Sequence, residues 1–304
     1  MMGLKSGRNN VIQLSERVAV RGAFLGKKPK KARHANTRIM SITSGKGGVG
    51  KTNIVANLGY SLTQLGKKVM ILDADLGLGN IDVLLGLAPK YNFSHVVMGT
   101  KSISEIVISG PGNMKILPAS SGIEELTRLT DKQKSRLLAS LDLMLDSIDI
   151  LLIDTGAGIS ENVIYFNRSA QEIIVVVSPE PTSITDAYAL MKVLSLGYSE
   201  KKFNLVVNLA KTPKEANELY RQLKLVTDRF LGISMEYMGY VLDDKRVKKG
   251  VKLQKIVSEI CPNTQASKCF AALAKKICEA PVPNLPGGSP KLFWESMVRK
   301  NSSQ

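Results

Sequence analysis

From Ile39 onward the chain alternates between short unbroken apolar runs and longer stretches in which apolar residues recur every three or four positions. The runs are IMSIT (39–43), VMILD (69–73), ILLID (150–154), EIIVVVS (172–178), FNLVVN (203–208) and MEYMGYV (235–241). The periodic stretches include Asn53 to Leu65, Asp131 to Ile148, Ser183 to Leu196 and Pro213 to Phe230. A strand wetted on one face alternates polar with apolar side chains. Continuous β-branched runs belong instead to strands covered on both faces, as parallel strands are when helices cross over between them. The pattern therefore predicts an α/β fold with a doubly wound, mostly parallel sheet over residues 39–280. No internal repeat or low-complexity segment interrupts it.

Both ends depart from this alternation. Residues 1–38 hold ten Lys and Arg against Glu16 alone, and include GKKPKKARH (26–34), which has a proline and no apolar period. Such a stretch is expected to be a disordered polycation. It carries +9 of the formal +16 and leaves +7 for everything after. It reads either as a solubilising tail or as an arm for an anionic membrane surface, an acidic partner or nucleic acid. At the other end, residues 281–290 form a proline and glycine linker into a terminal segment, 291–304. At 100° per residue, Phe293, Trp294, Met297 and Val298 share one side of a helix there, opposite Lys291, Glu295, Ser296 and Arg299. That apolar stripe suits docking on the protein's own surface or reversible attachment to a membrane.

Composition narrows the class. A chain of 304 residues with 44% hydrophobic content and a mean hydropathy near zero can bury a sizeable core. No run approaches the roughly 18 apolar residues of a membrane span, and charges at Lys5, Arg8, Glu16, Arg17 and Arg21 fall where a signal peptide would be apolar. A cytoplasmic location is expected. Cys261, Cys269 and Cys278 have neither an even count nor Cys-x-x-Cys spacing. They are expected to be buried thiols, with no metal or cluster site.

The chemistry is announced by SGKGGVGKTN (44–53). Gly45-x-x-x-x-Gly50-Lys51-Thr52 follows a predicted strand and opens a predicted helix, which is the context of a phosphate-binding loop. Its glycines free backbone N–H groups to face an anion, Lys51 reaches the β and γ phosphates, and the Thr52 hydroxyl can ligate Mg²⁺. A nucleotide hydrolase also needs carboxylates at neighbouring strand ends. Asp73 ends VMILD with Asp75 two residues beyond, and Asp154 ends ILLID before the Thr155-Gly156-Ala157-Gly158 turn. Each Asp alone also suits a helix cap or turn. Beside the loop, Asp154 has the look of a Walker B carboxylate that holds Mg²⁺ directly or through water. The loop's second lysine, Lys46, has no role in an ordinary phosphate site.

KGGVGKT (46–52) resembles the deviant Walker A motif of the MinD/ParA class of ATPases. Within that class, DADLGLGNIDVLLGL, DTGAGIS, SPEPTSITDAYALMKVL and VTDRFL resemble the flagellar number regulators of the FlhG/FleN type. The resemblance covers about Ile39 to Ala280 and extends to the terminal segment. It implies an ATP-dependent homodimer in which Lys46 reaches the phosphates held by the partner subunit. It implies ATP contacts along Gly45, Lys46, Gly47, Gly48, Val49, Gly50, Lys51, Thr52 and Asn53. Asp75 would orient or activate the attacking water, and Asp73 would support Mg²⁺ beside Thr52 and Asp154. Asn208 would read adenine, and Asp243 would lie on a second adenine-side loop.

A slow regulatory ATPase is implied, which joins the inner membrane through the 291–304 segment when ATP is bound. Its partner would be a flagellar transcription regulator, a flagellar GTPase or a basal-body component. The sequence departs from the pattern at Leu242, where relatives have Pro, and at Asn53, where many have a hydroxyl residue. Residues 1–38 also lack the Asp-Gln-Ala helix with which many relatives stimulate a GTPase. The alternatives of the same fold are a DNA-partition ATPase, for which the basic residues would serve, and a cell-division positioning ATPase. A cluster carrier and a metabolite kinase fit less well, for want of cysteine spacing and of a substrate lid.

Overall fold

β1 (Arg38–Ser44) is buried along its whole length, as its unbroken apolar run requires. The computed structural model describes residues 37–75, 79–92, 95–96, 98–118, 144 and 147–281. The other strands are β2 (Val69–Ala74), β3 (Ile108–Ser109), β4 (Lys115–Pro118), β5 (Ile150–Ala157), β6 (Glu172–Val177), β7 (Lys202–Ala210) and β8 (Ser234–Leu242). They form one sheet in the order β3-β4-β2-β5-β1-β6-β7-β8. Every pairing is parallel except the short β3–β4 ladder. The doubly wound, mostly parallel sheet expected from the sequence is thus present.

The described helices are α1 (Lys51–Gln64), α2 (Ile81–Leu84), α3 (Ile103–Ile106), α4 (Glu161–Ser169), α5 (Pro181–Tyr198), α6 (Pro213–Phe230), α7 (Lys245–Lys252), α8 (Val257–Ile260) and α9 (Gln265–Glu279). Because side chains alternate along a strand, β1 feeds both layers. Met40 and Ile42 pack with Ile54 and Leu58 of α1 and Phe270 of α9. Ile39 faces the opposite layer, with Phe166 of α4. The expected helices at 53–65, 183–196 and 213–230 correspond to α1, α5 and α6. The one expected over 131–148 lies outside the described residues apart from its last positions, as do the 1–36 arm, most of the 281–290 linker, and Phe293, Trp294, Met297 and Val298. No helix among the described residues is long and apolar enough to cross a membrane. The three cysteines are free and only partly buried, packed against the margin of the α1/α9 layer, so the expectation of buried thiols is corrected.

Arg38 begins the first strand, one residue inside the expected arm, and its charge is neutralised within the fold. Its guanidinium grips both carboxylate oxygens of Glu172, the first residue of neighbouring β6, and also donates to the Ile277 carbonyl near the end of α9. The two side chains are only 7% and 11% exposed. Removing one member leaves a buried charge without its counter-ion, which is costlier than losing an exposed pair. Arg38→Ala is therefore expected to destabilise the domain by about 3–5 kcal/mol, read as a lower denaturant midpoint at unchanged slope. A loss under about 1 kcal/mol, the range of exposed pairs, would contradict this account.

Candidate functional site

The carboxyl ends of β2, β5, β1, β6, β7 and β8 lie side by side in that order, and each delivers one part of the site. Ligands of open α/β sheets bind along this edge. The loop after β1 occupies the middle. Gly50, the residue before α1, takes a left-handed conformation at φ 85°, and a Cβ there would lie 2.4 Å from the Asn208 Nδ2. At the loop's other end, a Cβ on Gly45 would lie 2.1 Å from the Asp186 backbone of α5. Both glycines are thus required by close approach, one to β7 and one to α5. The N-terminus of α1 has no side-chain cap and no acidic residue in its first turn. Its free N–H groups and positive dipole end suit a phosphate.

On the β2/β5 side the predicted acidic residues converge. Lys51 is buried, and its Nζ lies 3.4 Å from the Asp154 Oδ1. The Thr52 side chain faces the same carboxylate and favours its charged form. Asp73 stands opposite Asp154 in the β2–β5 register. Its carboxylate accepts the N–H groups of Asp75 (3.3 Å) and Ile81 (3.4 Å). The Asp75 Oδ1 lies 3.5 Å from where a Cβ on Gly156 would be, so Asp75 faces the turn that follows Asp154.

Burial, and next the Asp154 carboxylate, push Asp73 up to about 7. Burial also raises Asp154, against the pull of the Lys51 ammonium. A buried carboxylate raised further by a second carboxylate, as Asp73 is by Asp154, favours a nearby positive charge. Hard oxygen donors beside a phosphate loop fit Mg²⁺, which keeps phosphate and water ligands and needs only one or two protein groups. Among the described residues, no group of three or more His, Cys, Asp or Glu side chains is arranged to hold a metal ion.

The β7/β8 side holds a small cleft of about 170 Å³ lined by Asn53, Asn208, Leu242, Asp243, Val247 and Phe270 among others. Asn208 donates from Nδ2 to the Val49 carbonyl at 2.7 Å, so part of its donor capacity ties the phosphate loop to β7. Its carbonyl oxygen has no such tie and could accept from a base edge in the cleft. Asp243 is exposed, with its carboxylate 3.7 Å from Lys248. Neighbouring Asp244 is buried and caps α7 through the Arg246 N–H at 2.9 Å. Leu209, the next residue after Asn208, sits at φ 60°, a conformation uncommon for a bulky side chain. The β7–β8 register also slips between Val207 and Ala210. This distortion interrupts the ladder beside Asn208 before it resumes at Ala210 and Leu242, and no sequence signal announced it.

Lys46 does not join the carboxylate cluster. Its ammonium turns toward the β6 side, donating to the Glu180 Oε2 at 2.6 Å and the Thr182 Oγ1 at 2.8 Å. Neither partner was singled out from the sequence. The available signal was SPEPT, a carboxylate set directly before a helix-opening proline.

Comparison with known proteins shows the family and the fold. Residues 37–207 match the model of a family described as an AAA domain. The chain is similar to the antiactivator FleN of Pseudomonas aeruginosa, with 42% identity over 86% of this chain and 94% of the relative. It is also similar to the flagellum site-determining protein YlxH of Helicobacter pylori, with 33% identity over 87% and 90% of the two chains. Among solved structures, the MinC:MinD cell division protein complex of Aquifex aeolicus superposes with a TM-score of 0.63 at 25% identity, covering 82% of this chain and 99% of that one.

Proposed function

The chain belongs to the AAA-domain ATPases of the MinD/ParA class, beside their flagellar regulators, and on that premise we propose that it is a nucleotide-dependent dimerisation switch in flagellar regulation. The observation that carries this reading is the opposite placement of two lysines in one loop. Lys51 is buried beside Asp154, whereas Lys46 lies outside that cluster at the protein surface. A lysine set outside its own site is available to the phosphates of a second subunit, and a γ-phosphate is the charge that would reward the exchange.

Within this reading, Gly45 to Asn53 hold the phosphates, Asn208 and the Asp243 loop flank the base, and Asp75 orients the attacking water. Thr52 and Asp154, supported by Asp73, would hold Mg²⁺, which supplies charge neutralisation at the phosphate oxygens. Hydrolysis and phosphate release then reset the subunits to monomers. Residues 291–304 act as the membrane contact. Two weak copies in one dimer bind an anionic lipid surface more firmly than either alone, so membrane residence follows nucleotide state. The expected protein partner is a flagellar transcription regulator, GTPase or basal-body component.

One observation favours the partition alternative. α7 exposes Lys245, Arg246, Lys248, Lys249 and Lys252 along two turns, a surface suited to a polyanion such as DNA. The deciding experiment sediments the full-length protein with vesicles of phosphatidylglycerol and phosphatidylethanolamine, and separately with double-stranded DNA, in ADP and in a non-hydrolysable ATP. Solution mass is measured in parallel. A dimer with ATP alone, retained by vesicles and not by DNA, is the expected result. Steeply salt-dependent retention by DNA without vesicle binding would replace it with the partition reading.

A further inference from the structure

Two helices, α2 and α7, end against each other, and both ends close in the same way. At the end of α2, the Gly86 N–H donates to the Val83 carbonyl at 3.2 Å and the Leu87 N–H to the Asp82 carbonyl at 2.8 Å, with Gly86 at φ 63°. At the end of α7, the Gln254 N–H donates to the Val251 carbonyl and the Lys255 N–H to the Gly250 carbonyl, both at 3.0 Å, with Gln254 at φ 54°. This paired closure puts its turning residue in the left-handed region, where glycine is the usual choice because any other side chain is strained there. The first helix follows that preference and the second does not. What the glutamine brings is its side chain: Nε2 donates to the Val83 carbonyl at 3.1 Å, the same oxygen that Gly86 uses, so one α2 carbonyl serves both helix ends. A Cβ on Gly86 would lie only 3.2 Å from the Gln254 Cβ, so the two turns touch.

Each helix belongs to a different part of the site. α7 lines the base-side cleft through Val247, Lys248 and Val251. The chain just beyond it is pinned to α1, where the Ser258 N–H donates to the Asn57 Oδ1 at 3.0 Å. α2 begins at Ile81, whose N–H shares the Asp73 carboxylate with the N–H of Asp75. Ile81, Leu84 and Leu85 pack in the same core layer as Ile256 and Val257. We infer that Gln254 is a positioning residue for hydrolysis: it ties α2 to α7 and so holds Asp75 in register with a nucleotide seated in the loop and the base-side cleft. The inference rests on the proposal that Asp75 orients the attacking water. The action is indirect, passing from the Val83 carbonyl along α2 to the Ile81 N–H and the Asp73 carboxylate. The bond is neutral and solvent-exposed, so its loss is expected to cost about 2–12-fold in rate.

The informative variant is Gln254→Gly, because it relieves the turn while deleting the link. It is compared, in the full-length protein, with Gln254→Lys, which keeps a long donor, with Asp75→Ala, and with the double variant Asp75→Ala/Gln254→Gly. Single-turnover phosphate release is followed in saturating ATP and Mg²⁺, nucleotide affinity by titration, dimer mass by light scattering in a non-hydrolysable ATP, and stability by the urea midpoint. Gln254→Gly is expected to slow release by about 2–12-fold, with affinity and dimer mass unchanged and a midpoint equal or higher. Gln254→Lys is expected to return release toward the unaltered rate, and the glycine to add nothing to Asp75→Ala, since both changes act on one path. A merely structural cap predicts a higher midpoint with unchanged release, and that result overturns the inference. Slowing that persists in the Asp75→Ala background, or that only accompanies weaker nucleotide binding, overturns it as well. If Asp75→Ala slows release while Gln254→Gly does not, the link falls and the role of Asp75 stands. If Asp75→Ala turns over normally, the reading of Asp75 fails and takes the link with it.

Discussion

Asp75→Ala is expected to accumulate as a dimer that keeps its ATP and scarcely turns it over. Asp75 lies outside the Lys51–Asp154–Thr52 contacts and faces the Gly156 turn, so its loss leaves the phosphate cradle intact. What disappears is a carboxylate placed to orient water at the γ-phosphate, a contribution worth about a hundredfold to ten-thousandfold in rate. Pairing precedes hydrolysis in the proposed cycle, so slower chemistry prolongs the paired state. Single-turnover phosphate release should drop by at least about a hundredfold, with ATP affinity nearly unchanged. Turnover within a few-fold of the unaltered protein would remove Asp75 from this role.

Lys46→Gln is expected to do the reverse, binding nucleotide as a monomer and failing to pair. The amide keeps the length and polarity of the side chain but cannot bring a cation to the partner's phosphates. Charge-assisted bonds to phosphate are about twice as strong as neutral ones, and a closed interface that excludes water strengthens them further. Two such bonds are lost per dimer. Light scattering in saturating non-hydrolysable ATP should report the monomer mass, and the protein should stay off anionic vesicles under the same conditions. Monomer affinity should hold, because Lys51 and the α1 N-terminus remain. A dimer of normal stability would refute a lysine shared between subunits.

Features set by local or periodic constraints were the ones legible in the sequence. β5, β6 and β7 announce themselves because a strand covered on both faces tolerates only apolar side chains. The loop is legible because Gly50 and Gly45 are steric necessities. Asp73, Asp75 and Asp154 were recognisable as acids at strand ends, and the parallel register brings the first and last abreast. Features that depend on distant parts of the chain were not legible. Glu180 meets Lys46 across 134 positions of sequence, and nothing local to either residue states the pairing. Asn208 was expected to read the base, but its tie to the Val49 carbonyl depends on how β7 lies against the loop. Arg38 read as part of the arm because its partners, Glu172 and the α9 carbonyls, are 134 residues and more downstream. β3 and β4 are too short to impose a period.

Arg38 also fixes where attachments to this domain must pull. It opens β1 and reaches the Ile277 carbonyl of α9 and the Ala280 carbonyl just beyond it, so the first strand starts and the last described helix ends at one corner. That corner lies at the amino end of the central strand, a strand's length of about 20 Å from its carboxyl end, where the phosphate loop begins. A tether gripping either terminus loads the fold at the far side from the nucleotide. The face proposed for pairing lies at the opposite end, so a pull at that corner need not compete with the chemistry.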